Sequence, residues 1–198
     1  MKKTIFAAFL LCALLLTGCG GNETVSDTKP ETSEVVLSAG DCFKVSEEHS
    51  NGVTRYSYSV TEKNGETLES ALCTEQPQVA IINPDLLGIR FTSDEHVFCR
   101  YYDVKRGLVS ESFFNAFWDN GELVAYNDYE NGHKMVVRSI FDKNGYYYET
   151  AVDCPSWKLT VTSCELNGET GELTVGYVYG ANNTEGTVKL PTAAPDEP

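Results

Sequence analysis

NGELVAYNDYENGHKMVVRSIFDKNG, residues 120–145, holds three Asn-Gly pairs, at Asn120-Gly121, Asn131-Gly132 and Asn144-Gly145. A two-residue type I′ turn needs positive φ at both central positions, which Asn tolerates and Gly adopts freely, and its twist matches the antiparallel strands it joins. The intervals leave room for strands of about five to nine residues, the usual length. Within them Met135, Val137 and Phe141 fall on one side of an extended chain, and Val136 and Ile140 on the other. A strand apolar on both sides is one covered on both faces.

The same punctuation recurs at Asn51-Gly52, Asn64-Gly65 and Asn167-Gly168. Tyr56, Tyr58 and Val60 alternate with Arg55, Ser57 and Ser59, and the run Trp157 to Thr162 alternates likewise, the period of half-buried strands. Further strands are expected at Val97 to Tyr102, Leu123 to Tyr126, Tyr146 to Val152 and Leu173 to Tyr179. Residues 67–95 carry Pro77 and Pro84 and no Asn-Gly pair; they predict a short helix near Thr67 to Cys73 and a single turn over Pro84 to Leu87. The reading is a mainly β fold, an antiparallel meander of hairpins with at most one or two short helices. It divides residues 36–190 into a hairpin unit (36–66), an irregular link (67–95) and a larger meander (96–190).

Within that meander, Val97 to Asp103, Val109 to Phe114, Leu123 to Tyr126 and Val136 to Lys143 together resemble the blade-like β-meander of small uncharacterised bacterial lipoproteins. The resemblance implies one or two propeller-like blades and no particular activity. About 155 folded residues at roughly 40 to 45 per blade do not supply four blades, the minimum around a channel. A small sandwich or open meander is the architecture expected instead.

At the other end, Lys2 and Lys3 precede an apolar run, Ile5 to Leu16, too short to span a bilayer, and Leu16-Thr17-Gly18-Cys19 closes it. These residues resemble a bacterial lipoprotein signal peptide. That resemblance implies removal of residues 1–18, diacylglyceration of the Cys19 thiol, palmitate-type lipidation, and a protein anchored to the extracytoplasmic face of the cell membrane, where two or more chains hold stably. Residues 19–35, polar and Gly-rich, then read as a flexible tether, and residues 191–198, with three prolines, as a disordered tail.

The chain carries 15 Lys and Arg against 29 Asp and Glu, a formal charge of -14. Losing Lys2 and Lys3 with the signal leaves 13 cations against the same 29 acids, or -16. Such a field disfavours nucleic acid and anionic lipid head groups as partners. With Cys12 in the signal and Cys19 lipidated, Cys42, Cys73, Cys99, Cys154 and Cys164 remain. None of these lies at Cys-x-x-Cys spacing, and Cys154 and Cys164, nearest in sequence, are the candidate disulfide.

No catalytic or metal-binding constellation emerges, and no cofactor is implied. His49, His96 and His133 fit no ligand spacing, and His49 and His133 are expected as exposed residues beside Asn-Gly turns. There is no Gly-x-Ser-x-Gly elbow. The loop Asn127 to Gly132 has oxygen donors, but Tyr129 and Arg138 stand where an EF-hand loop needs ligands. Tyr101, Tyr102, Tyr146, Tyr147 and Tyr148 are candidate binding aromatics, since rings on the outward row of a strand can stack on a sugar or an apolar partner surface. Phe113, Phe114, Phe117 and Trp118 are expected in the core. The leading expectation is a non-enzymatic binding or interaction module with a protein or glycan partner. The alternatives are a hydrolase or lyase using dispersed carboxylates such as Asp103 or Asp128, and an envelope assembly or inhibitor protein whose open sheet edge accepts a strand.

Overall fold

The computed structural model describes residues 33–93, 96–129, 133–154 and 159–193. The expected signal segment, Cys19, Asp94, Glu95, the Asn131-Gly132 pair, Trp157, Pro195 and Pro198 lie outside the described residues.

Among the described residues, sixteen strands form four antiparallel sheets, each laid down in chain order. The first contains β1 (Ser33–Gly40), β2 (Phe43–Ser50), β3 (Val53–Thr61) and β4 (Thr67–Cys73). The second contains β5 (Gln78–Asn83), β6 (Leu86–Ser93), β7 (His96–Asp103) and β8 (Leu108–Val109), with β9 (Phe113–Phe114) also paired to β7. The third runs β10 (Trp118–Asp119), β11 (Leu123–Asp128), β12 (Lys134–Ser139) and β13 (Tyr147–Ala151). The fourth runs β14 (Leu159–Asn167), β15 (Glu172–Tyr179) and β16 (Thr184–Pro191). The mainly β, antiparallel reading holds, and no helix occurs among the described residues.

Three apolar clusters show how the sheets stack. Val45, Tyr58 and Val60 of the first sheet meet Leu87, Ile89 and Tyr102 of the second. Leu86, Cys99, Tyr101 and Phe113, from the other face of the second sheet, meet Val124 and Ile140 around the third. Ala125, Met135 and Val137, from the third sheet's opposite face, meet Leu173, Val175 and Leu190 of the fourth. The second and third sheets are thus covered on both sides, which is why β12 is apolar on both: Met135, Val136 and Val137 are all fully buried. Phe141 departs from its expected row, because it lies past the end of β12 and packs against the cluster between the second and third sheets.

The segment from Thr67 to Cys73 is strand β4, not a helix. Leu68 and Leu72 suit a helical stripe, but pairing with β3 puts Ala71 opposite Tyr58 and Cys73 opposite Tyr56, and sheet packing overrides local propensity. Leu72 is left on the outer face, 65% exposed. The expected link at 67–95 is likewise three strands. Pro84 and Asp85 form only the two-residue tip between Asn83 and Leu86, with the Asn83 side chain accepting from the Asp85 amide at 2.9 Å. β1 starts at Ser33, ahead of the expected boundary at residue 36, because it pairs with β2 up to the Ser33–His49 position.

Of the Asn-Gly pairs, Asn51-Gly52 is the two-residue turn with both φ positive, 52° and 75°, between paired Ser50 and Val53. At 64–65, 120–121 and 167–168 the loops are longer, and Asn works through its side chain. Asn120 Oδ1 accepts from the amides of Glu122 and Leu123 at 3.0 and 2.8 Å, and Asn167 Oδ1 accepts from those of Glu169 and Thr170. These are Asx turns, an alternative route by which Asn reverses a chain.

Candidate functional site

Where the second, third and fourth sheets meet, a groove of about 700 Å³ opens, a volume within the range of small-molecule and peptide sites. Its floor comes from the crossing between β9 and β10. Asn115 takes a left-handed conformation (φ 44°), its amide donates to Val97 O at 2.8 Å, and the Phe117 amide donates to Ala125 O at 3.0 Å. Arg90 Nη2 donates to Ala116 O at 2.8 Å, so this crossing is held from both sheets at once.

One wall is aromatic. Phe114 and Tyr129 have ring centroids 4.3 Å apart, and His96 packs edge-on to Phe114 at 5.2 Å. The His96 Nε2 and Tyr129 hydroxyl are 3.2 Å apart, so the ring is fixed by both packing and a hydrogen bond. The facing wall is β14, whose residues Leu159 to Cys164 all line the groove. Burial pushes the Cys164 thiol up to about 11, which keeps it protonated near neutrality and unsuited to nucleophilic attack.

Between the walls stand Asn127 and His133. Asn127 continues the Leu123–Ala125 row of β11, and His133 continues the Met135–Val137 row of β12, so both belong to the face turned toward the fourth sheet. Asn127 is 3% exposed, and its Oδ1 and the His133 Nδ1 are buried with no hydrogen-bond partner. A polar atom buried in this state costs about 1 to 3 kcal/mol, so two in one groove are a concentration of unmet hydrogen-bonding capacity. His133 is therefore not the exposed turn residue its neighbourhood suggested. An apolar row interrupted by Asn127 at an inward register was the signal available in the sequence.

The other candidates fall elsewhere. Tyr101 and Tyr102 are 1% and 0% exposed and cannot stack on a partner: β7 lies in a doubly covered sheet, so both rows point into protein. Tyr146 and Tyr148 pack against the cluster between the third and fourth sheets, and the Tyr146 hydroxyl donates to Pro191 O at 2.7 Å. Tyr147 alone of the five is well exposed, and its hydroxyl donates to Glu149 at 2.6 Å. Phe113 is core as expected, whereas Phe114 and Phe117 are half-buried and line the groove. No disulfide joins Cys154 to Cys164; both are thiols packed against the same apolar cluster. Asp103 closes its own loop, accepting from the Lys105 and Arg106 amides and from Arg106 Nε at 2.6 Å. Asp128 ends β11 opposite Lys134, and neither carboxylate lines the groove.

Two polar networks in the interior complete the titratable groups of interest. Between the first and second sheets, Glu69 accepts from the hydroxyls of Tyr58 and Tyr102 at 3.1 and 2.9 Å and pairs with Arg100 at 2.5 Å. Burial opposes its charge, but these donors outweigh burial and hold the carboxyl below its ordinary range. Asp119 accepts from the Tyr101 hydroxyl at 3.1 Å, and here burial prevails and raises the carboxyl.

No family model, curated protein or solved structure matches the chain.

Proposed function

We propose that the protein is an extracytoplasmic binding module, tethered to the cell membrane by lipid on Cys19, whose ligand occupies the groove between the second, third and fourth sheets. The observation that carries the binding reading is the pair of buried, unpartnered polar atoms, Asn127 Oδ1 and His133 Nδ1, in a groove of ligand size. Folding alone gains nothing from leaving an acceptor dry, whereas a ligand that donates to it recovers the desolvation cost on binding. The lipobox-like Leu16 to Cys19 supports the anchor.

Both halves are testable on the full-length chain. Thermal denaturation in detergent, with separate panels of oligosaccharides, peptides and small organic anions, is expected to show one panel raising the Tm of the wild type. The same panel leaves Thr162→Trp unmoved, since an indole at this exposed β14 position fills the groove. No rise with any panel removes the binding reading. For the anchor, cells fed an alkyne fatty acid should label the wild-type chain and not Cys19→Ala; an unlabelled wild type removes it.

A further inference from the structure

We propose that the occupant of the groove is an uncharged, extended peptide segment that adds to the open edge of β14 and places a side-chain amide, Asn or Gln, against Asn127 and His133. This rests on the binding reading above and specifies its ligand.

The first observation is the edge. Among the described residues β14 pairs with β15 and has no second neighbour, so its outer side presents unpaired amides and carbonyls. Proteins ordinarily protect such edges with charged side chains or proline. The groove-lining part, Leu159-Thr160-Val161-Thr162-Ser163-Cys164, carries neither, and the first charge along β14 is Glu165, just beyond the lining. Six consecutive residues lining one groove means that the groove runs along the strand and meets its edge as well as its faces. An added strand there gains main-chain hydrogen bonds from the edge and specificity from the pockets that receive every second side chain.

The second observation is the pair of unmet polar atoms. Asn127 Oδ1 is an acceptor and requires a donor from the ligand; His133 Nδ1 donates when it carries the ring proton. A primary amide offers both complements in one group: its NH₂ donates to Asn127 and its carbonyl accepts from His133. A lone cation supplies only the donor, and a hydroxyl must serve both partners from a single oxygen, whereas the amide presents donor and acceptor on separate atoms.

Charge selects the class. The chain bears -14, so acidic segments are repelled at long range. The described lining includes Arg90 and two of the three histidines and no Asp or Glu, so a lysine or arginine entering the groove finds no carboxylate there to pair with its charge. An uncharged amide avoids both penalties, and the aromatic wall of Phe114, Tyr129 and His96 offers flat surface to its methylenes.

The test uses the full-length protein and a fluorescein-labelled octapeptide alternating threonine and glutamine, read by fluorescence anisotropy. Saturable binding is expected, at least tenfold weaker when the glutamines are replaced by glutamate or by lysine. Methylation of alternate backbone nitrogens should abolish it. Asn127→Leu should weaken it at least tenfold with Tm unchanged or raised. Should that variant fail to fold, His133→Ala serves the same purpose, since its side chain only partly enters the buried layer. Equal binding by the N-methylated peptide overturns strand addition, and equal binding by the glutamate or lysine peptide overturns the amide assignment, while both leave a binding groove intact. Oligosaccharide or small-anion binding with no peptide binding overturns this proposal alone; silence in every panel overturns the binding reading too.

Discussion

At the scale of single residues the protein sets two carboxylates in opposite electrostatic situations. Glu69 is held below its ordinary range by Arg100, Tyr102 and Tyr58 acting against burial, so its folded form binds protons more weakly than the unfolded chain. Its contribution to stability is full above the usual carboxylate range and is lost as pH falls through the folded value. Glu69→Gln should therefore flatten acid unfolding, and Glu69→Ala, which strips a half-buried Arg100 of its partner, should cost about 2 kcal/mol near neutrality. Asp119 behaves inversely: burial raises it, so it favours the fold when protonated and loses that contribution as pH rises through the folded value. Asp119→Asn keeps an acceptor for the Tyr101 hydroxyl, and chemical denaturation should find it more stable than the wild type at neutral pH, with the difference vanishing in acid. Asn127 offers a third case. Replacing it by leucine removes a buried acceptor without a partner, and the unliganded protein should gain about 1 kcal/mol. A loss instead would mean that the Asn127 side chain contributes to the fold, and the binding argument would then rest on His133.

At the scale of elements, the Asn-Gly pairs separate into two devices that look identical in sequence. Asn51-Gly52 reverses the chain by backbone conformation, and a Cβ at Gly52 meets nothing within 4 Å, so Gly52→Ala isolates the cost of positive φ, about 1 kcal/mol. At Asn120 the side chain caps two amides, and Asn120→Ala should cost about as much while Asn120→Gly rescues nothing. At position 51, by contrast, glycine should be accepted. Denaturant midpoints of the four variants decide between the devices. The hairpins themselves were readable, because period-two alternation and turn residues are local. The helix expected at Thr67 to Cys73 failed because its seven residues are ambiguous alone and only the partner strand decides them. Tyr101 and Tyr102 failed for a related reason. Alternation says that neighbours point to opposite faces, but not that both faces are covered. The groove was least visible of all, since Asn127, His133, Phe114 and β14 converge from distant parts of the chain, and only the break in the Leu123–Ala125 row hinted at it.

At the scale of the molecule, the described residues form a layered series in which each of the three apolar clusters joins sheets that are neighbours in sequence. Stability in such a series is a sum of sheet and interface contributions, and the ends are the weakest members. The second and third sheets have two apolar interfaces each; the first and fourth have one, and every residue of β1 is exposed. Native-state hydrogen exchange should therefore rank β7, β11 and β12 as the slowest amides, opening only with the whole fold, and β1 and β14 among the fastest. Two core variants sharpen this. Leu173→Ala, within the cluster joining the third and fourth sheets, should cost about 2 to 4 kcal/mol and quicken exchange in β14, β15 and β16 while leaving β6 and β7 protected. Val124→Ala, between the two inner sheets, should instead lower protection throughout, because no sheet outlasts the loss of the middle interface. Uniform protection in the wild type would contradict the layered account. The expected gradient also bears on binding. The groove's outer wall is β14, an end strand, while its opposite wall and polar pair belong to the inner sheets, so a bound segment that extends the fourth sheet should slow exchange in β14 and β15 and leave β11 unchanged.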